Sequence, residues 1–201
     1  MFTGIVQDVG SISSVEPRDG DLRIEVAVSG LDLGRATVGD SIAVAGVCLT
    51  IVALGPRGFC ADVSNETSRL TTAGFWRPGR RVNLEPALRA GDAMGGHLMV
   101  GHVDGIAQLI AREGDARSQR FTLRVPAELA LYIARKGSVT LDGVSLTVNA
   151  VRGTQFEVNL VPHTLAVTTL GELAVGDQLN LEVDLIARYL ERLAGFDRAV
   201  Q

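Results

Sequence analysis

The sequence predicts an all-β protein: two tandem six-stranded Greek-key barrels related by internal duplication, followed by a C-terminal α-helix. Three observations carry this reading. The chain repeats itself at a shift of 97 residues, short period-2 segments bounded by turn residues fill both repeats, and a lone helical stripe follows the second. Composition agrees. The 201 residues are 46% hydrophobic and 21% charged, which permits a packed core. Glycine is frequent, 23 residues in all, against a usual ~7%, as a chain with many turns requires.

The repeat is direct. Ser41-Ile42-Ala43-Val44-Ala45-Gly46-Val47-Cys48-Leu49-Thr50 lies over Ser138-Val139-Thr140-Leu141-Asp142-Gly143-Val144-Ser145-Leu146-Thr147. The same shift matches Phe59 with Phe156, Thr71-Thr72 with Thr168-Thr169, and Asn83-Leu84-Glu85 with Asn180-Leu181-Glu182. Over residues 39–85, without a gap, 15 of 47 positions are identical, which points to duplication rather than shared composition. The expected units are therefore 1–97, with a glycine-rich linker over 89–97, then 98–185, then a terminal segment 186–201.

Within each unit the strands alternate. Leu22-Arg23-Ile24-Glu25-Val26-Ala27-Val28 and Arg120-Phe121-Thr122-Leu123-Arg124-Val125 place apolar side chains on every second position. Gly39-Asp40 and Gly176-Asp177 punctuate the strands, and turns every 8–12 residues suit a small closed barrel. Short helical turns are expected at Leu31-Asp32-Leu33-Gly34 and over Ala127–Ile133. At the end, Ile186, Tyr189, Leu190 and Leu193 fall on one helical stripe. That stripe must bury, either back on its own barrel or, as we expect, by self-association.

Several function classes are disfavoured. A net charge of −4 gives no basic surface for nucleic acid. The longest apolar run, Ile42 to Leu54, is broken by Gly46 and Thr50 and is short of the roughly 20 residues that span a membrane. Met1–Asp8 lacks the basic and apolar regions of a secretory leader, and Cys48 and Cys60 form no CxxC motif, so the reducing cytoplasm is the expected compartment. No GxGxxG or P-loop motif is present. His97 and His102 are five apart, off the spacing of a helical zinc pair, so neither a metal nor any other cofactor is expected.

The Gly-Val-Cys/Ser-Leu-Thr block is the most informative local feature. Strand alternation makes Val47, Leu49, Val144 and Leu146 core residues and turns Cys48, Thr50, Ser145 and Thr147 to the other face. Small polar groups on matching faces suit ligand hydrogen bonds. The two halves differ where chemistry could occur: Ile5 matches His102, Cys48 matches Ser145, Ala45 matches Asp142 and Glu66 matches His163. Histidine suits proton transfer near neutral pH. Lys136 is the one lysine against 18 arginines, a compact donor for a hydroxyl or carbonyl.

These residues carry a family likeness. Met1-Phe2-Thr3-Gly4-Ile5-Val6, the paired Gly46–Thr50 and Gly143–Thr147 blocks, and Gly95-Gly96-His97-Leu98-Met99-Val100-Gly101-His102-Val103 together resemble riboflavin synthases, which are built from two lumazine-binding repeats. Ala45 stands where that family commonly has Asn. The resemblance implies a cofactor-independent transferase that dismutates two 6,7-dimethyl-8-ribityllumazine molecules. One donates a four-carbon unit to the other, giving riboflavin and 5-amino-6-ribitylaminouracil. It implies a homotrimer held by the C-terminal helix, with one lumazine in the N-terminal barrel of one chain facing another in the C-terminal barrel of a neighbour. It also allows association with lumazine synthase.

Carried over by position, the N-barrel pocket is Gly4, Ile5, Val6, Cys48, Leu49, Thr50, Asp62, Val63, Ser64, Asn65, Glu66 and Thr67, with Phe2, Thr3 and Ser41 nearby. The C-barrel pocket is Gly101, His102, Val103, Lys136, Ser145, Leu146, Thr147, Leu160, Val161, Pro162, His163, Thr164 and Leu165. His102 is the first choice for proton transfer and His97 the second. Ser145 or Cys48 delivers or positions the nucleophile, or a bound water serves as it, and Thr147, Asp142 and Asp184 orient these groups. A silent lumazine or flavin carrier of the same fold is the alternative. Such relatives tend to lose the histidines of the Gly-Gly-His…Gly-His segment, and this chain keeps both. A flavin reductase would need a nucleotide-binding domain and an Arg-x-Tyr-Ser/Thr motif that the chain lacks.

Overall fold

The computed structural model describes residues 1–199, with side-chain surroundings through Ala194. Strands β1 (Asp8–Arg18), β2 (Asp21–Ala27), β3 (Ser41–Val44), β4 (Val47–Gly55), β5 (Gly58–Val63) and β6 (Arg81–Pro86) close into a barrel in the order β1-β2-β5-β4-β3-β6. Strands β7 (Gly105–Asp115), β8 (Ser118–Arg124), β9 (Ser138–Leu141), β10 (Val144–Arg152), β11 (Gln155–Leu160) and β12 (Gln178–Val183) close a second barrel with the same cyclic order. Every pairing is antiparallel. The two expected barrels are therefore present.

The alternating pattern explains both barrels. Ile24, Val26, Leu49, Ile51 and Phe59 fill the first core; Phe121, Leu123, Val148, Phe156 and Val158 fill the second. Each large side chain so buried contributes roughly 1.5–3 kcal/mol. Register shifts between Ile12 and Ser14 and between Ile51 and Ala53 recur at Leu109/Ala111 and Val148/Ala150. Bulges of this kind bend a strand and raise its twist, which helps so few strands close.

Short helices α1 (Asn65–Leu70) and α2 (Pro162–Val167) follow β5 and β11. A 3-10 helix forms at Ala127–Tyr132, as expected. The Leu31–Gly34 segment is different: it is irregular, and the Gly34 N–H donates to Asp32 Oδ1 at 2.8 Å. The aspartate side chain supplies there the acceptor that a helical carbonyl would have supplied.

Helix α3 (Leu185–Ala199) leaves the second barrel after Asp184, whose Oδ1 accepts from the Ile186 N–H. Arg188 to Asp104 and Tyr132 to Glu191 tie it to the barrel. Ile186, Tyr189, Leu190 and Leu193 stay 61–67% exposed, so the predicted apolar stripe points away from its own barrel. Val200 and Gln201 of the predicted terminal segment lie outside the described residues.

The repeats also contact each other. Asn83 Nδ2 donates to Asp142 O and Asn83 Oδ1 accepts from Thr169 N; Asn180 Nδ2 donates to Ala45 O and Asn180 Oδ1 accepts from Thr72 N. The turns Ala45-Gly46 and Asp142-Gly143 meet there. A Cβ on Gly46 would lie 2.7 Å from the Gly143 nitrogen, so close backbone approach requires glycine.

Candidate active site

Two outward faces, one per barrel, gather the predicted residues. On β4, Val47, Leu49 and Ile51 are buried while Cys48 is half-buried and Thr50 exposed; on β10, Ser145 is half-buried and Thr147 exposed. Leu146, expected in the core, is only half-buried. Leu49, Val63 and Leu160 are core side chains, so they can offer a ligand only their backbone. In the neighbouring segments Asp62, Ser64, Asn65, Glu66, Val161, Pro162 and His163 are exposed, and Thr67, Thr164 and Leu165 half-buried. Ser64 caps α1, its Oγ accepting from the Thr67 N–H at 3.1 Å.

The structure corrects the assignment of the glycine segments. Gly4 does not sit on the Cys48 face: its carbonyl accepts from the Ser145 N–H at 2.9 Å, and Val6 packs on the second core. Gly101 accepts from the Cys48 N–H at 2.9 Å, and Val103 packs on the first core. The chain crosses because residues 1–4 and 97–101 run antiparallel, with Phe2 N donating to Met99 O and Met99 N to Phe2 O. Phe2 and Met99 are completely buried in a cluster with Ala43, against which Cys48 and Ala87 pack. Alternation then sends Ile5 and Thr3 to a cavity of about 940 Å³ beside the first barrel, lined also by Ser41, Glu85 and Arg89.

The crossing also changes which histidine meets which hydroxyl. His97 Nδ1 lies 2.7 Å from Ser145 Oγ, and its Nε2 lies 3.4 Å from Thr140 Oγ1. Burial holds the His97 pKa below its ordinary value, partly opposed by the Asp184 carboxylate. The ring is therefore neutral at pH 7 and able to accept a proton. His102 is exposed beside Glu182, Val183, Tyr189 and Arg188, and makes no side-chain hydrogen bond to Ser145, Thr147 or Asp142.

The remaining candidates separate. Asp142, expected to orient reacting groups, is buried at the contact between barrels, where Oδ1 accepts from Asn180 N at 2.7 Å. Its pKa is pushed up to about 7 by burial, opposed by that hydrogen bond. Within the chain its part is structural. Asp184 caps α3 and faces His97 electrostatically. Lys136 is exposed, at φ 69°, its N–H donating to Val148 O. Among the described residues, no cluster of three or more His, Cys, Asp or Glu could hold a metal ion, and no helix is long and apolar enough to cross a membrane.

Sequence reasoning missed Glu85, Glu182, Asn83, Asn180 and Thr140. The signal was available for four of them, since Asn-Leu-Glu is the identical triplet that ends the repeat.

Comparison with known proteins gives the family. The lumazine binding domain matches residues 3–87 and 100–184, so each match spans one barrel. The chain is 49% identical over 205 residues to the riboflavin synthase of Brucella abortus (strain 2308), covering 98% of this chain and 100% of that protein. The chain belongs to the riboflavin synthase family. A second riboflavin synthase, from Photobacterium phosphoreum, is 44% identical over 98% of this chain and 91% of that protein. Among solved structures, LumP complexed with riboflavin superposes with a TM-score of 0.84 at 24% identity, covering 92% of this chain and 100% of that one. At that identity the likeness shows the fold alone. Membership in the riboflavin synthase family agrees with the resemblance carried by Met1–Val6, the two Gly-Val blocks and Gly95–Val103.

Proposed function

We propose that this chain is a riboflavin-forming transferase that dismutates two molecules of 6,7-dimethyl-8-ribityllumazine to riboflavin and 5-amino-6-ribitylaminouracil, without a cofactor. The observation that carries the reading is a pair of repeat-related faces with unlike chemistry. One presents Cys48 and Thr50; the other presents Ser145 and Thr147 with His97 on the serine hydroxyl. A dismutation needs two copies of one substrate in two roles, and two related but unequal faces suit it.

In this reading residues 1–97 and 98–185 each supply one ligand-binding barrel, and 186–201 assembles a homotrimer. The exposed stripe Ile186, Tyr189, Leu190 and Leu193 supports the assembly. The first-barrel face of one chain then meets the second-barrel face of a neighbour. Backbone groups of 62–67 and 160–165 read the pyrimidine edges, while Thr50, Thr147 and Lys136 hold ribityl hydroxyls.

On the second face, neutral His97 takes a proton as Ser145 Oγ, or a water held by it, adds to C7 of one lumazine. It returns that proton when the added group leaves. His102 is exposed and free to serve the facing lumazine, which must lose a proton from its C7 methyl. Holding the rings face to face supplies several kcal/mol of the barrier reduction. The free thiols of Cys48 and Cys60 suit a reducing compartment, and we assign the protein to the cytoplasm.

Purified chain incubated with the lumazine should generate flavin fluorescence and the ribitylaminouracil in equal amounts. Binding without turnover would overturn the enzymatic reading and leave a carrier.

A further inference from the structure

Two buried carboxylates take no part in the chemistry above, yet both face the segments that cross between the barrels. Glu85 lies on β6 of the first barrel. Its Oε1 accepts from the Thr3 N–H and the Thr3 hydroxyl, both at 2.7 Å, and its Oε2 accepts from the Gly4 N–H at 3.0 Å. Glu182 lies at the matching place on β12. Its Oε1 accepts from the Val100 N–H at 2.9 Å and its Oε2 from the Gly101 N–H at 3.1 Å. Exposures of 5% and 4% leave them little water.

What these carboxylates hold belongs to the opposite barrel. The residue fixed by Glu85 is Gly4, whose carbonyl bonds to Ser145 on the second face. The residue fixed by Glu182 is Gly101, whose carbonyl bonds to Cys48 on the first face. Both glycines are left-handed, at φ +77° and +74°. A Cβ on Gly4 would lie 2.5 Å from the Ser145 Cβ, and one on Gly101 would lie 2.6 Å from the Cys48 Cβ. The segments are thus pressed against the opposite faces, with a carboxylate behind each fixing its height. Two-oxygen acceptance of adjacent backbone N–H groups is directional and stronger than a neutral bond.

We infer that Glu85 and Glu182 are crossed positioning residues: Glu85 of the first barrel sets the Gly4–Val6 segment over the Ser145 face, and Glu182 of the second barrel sets Gly101–Val103 over the Cys48 face. The inference rests on the reading of those faces as the two lumazine sites. Each site is then built from both repeats, and neither barrel holds a complete one. His97 shares this dependence, because its N–H donates to the Thr3 carbonyl, one residue from Gly4. Loosening Glu85 therefore disturbs the His97–Ser145 pair on the far barrel.

The test uses the full-length protein with Glu85→Gln and Glu182→Gln. Each amide keeps the side-chain shape but turns a donor toward one of two backbone N–H groups. Amide hydrogen exchange, read by mass spectrometry, reports the crossed bonds directly. Glu85→Gln should speed exchange at least tenfold in the peptide containing Ser145 and leave the peptide containing Cys48 unchanged. Glu182→Gln should do the reverse. Thr3→Val, which removes the hydroxyl that donates to Glu85 and accepts from the Ile5 N–H, should show the Glu85 pattern more weakly and serves where Glu85→Gln does not fold. Effects confined to the variant's own barrel, or equal in both, overturn the inference. So does a crossed exchange pattern with lumazine affinity and turnover unchanged. Wild-type protein that neither binds nor converts the lumazine overturns the functional reading instead, and the exchange pattern still decides the crossed bonds.

Discussion

The two barrels share strand order, bulge positions and the core pair Phe59 and Phe156, but they differ at the residues able to do chemistry. On the first, Cys48 faces outward with no side-chain hydrogen bond, and Arg23 holds Asp62 at 2.7 and 2.8 Å. On the second, Ser145 is paired with His97, and the position matching Asp62 is Asn159. Arg120, which matches Arg23, turns instead to Asp115 and Glu157. Among the described residues, the buried Asn159 Oδ1 has no hydrogen-bond partner. At the contact between the barrels the repeats share Asn83 with Asn180 and Gly46 with Gly143, although Ala45 and Asp142 differ there. Duplication left the outward faces free to diverge, and a reaction that uses one substrate in two roles requires that divergence.

The sharpest way to break this comparison is at His97. His97→Gln should lower kcat by about 10²-fold or more, since Gln keeps hydrogen bonding but takes up no proton near neutral pH. Adding Ser145→Ala should cost little further, because the pair acts as a unit. His102→Gln should also lose turnover, but its loss should multiply with that of Ser145→Ala. Steady-state kinetics of the singles and doubles decide the matter; additive behaviour at His97 would separate it from Ser145.

Assembly tests the second difference, the helix that follows only one barrel. Deleting residues from Ile186 onward should give monomers or dimers with intact far-ultraviolet spectra and little activity, because the proposed assembly pairs facing barrels from different chains. Light scattering that still shows a full trimer would return the exposed stripe to some other purpose.

The turns where the barrels touch should affect stability with little effect on turnover. Both Ala45 and Asp142 are left-handed, at φ 46° and 45°. The Asp142 pKa is about 7 in the folded protein against an ordinary 3.8. Between those values the unfolded chain has released a proton that the folded one keeps, so stability falls as pH rises through that window. The loss is complete above about pH 7. Asp142→Asn keeps the acceptor for Asn180 without the charge. Its advantage over the wild type should be absent near pH 3 and reach at most about 4 kcal/mol above pH 7. Ala45→Asn should stabilise by about 0.5–1 kcal/mol, since Asn tolerates the left-handed region better than Ala and can give Asn83 a similar acceptor. Thermal melts across pH 4–8 check both; a gap for Asp142→Asn that does not widen with pH would place the ionisation elsewhere.

Much of this was determined by the sequence alone. The 97-residue repeat, the alternation on β4 and β10 and the turn glycines carry enough local signal to define two closed barrels, and they turn Cys48, Thr50, Ser145 and Thr147 outward. The helical stripe at 186–193 shows in its period. The motifs of Met1–Val6, Gly46–Thr50 and Gly95–Val103 point to the family. What only the tertiary structure decided is which repeat each glycine segment serves. Gly4 and Gly101 reach the opposite barrels through backbone carbonyls and N–H groups, which every residue possesses and which therefore leave no trace in residue type. The pairing of His97 with Ser145 follows from that crossing, and the withdrawal of Asp142 into the contact between barrels follows from the meeting of its turn with Ala45-Gly46 and Asn83. They depend on where two distant stretches of chain meet, and no local pattern of side chains records it.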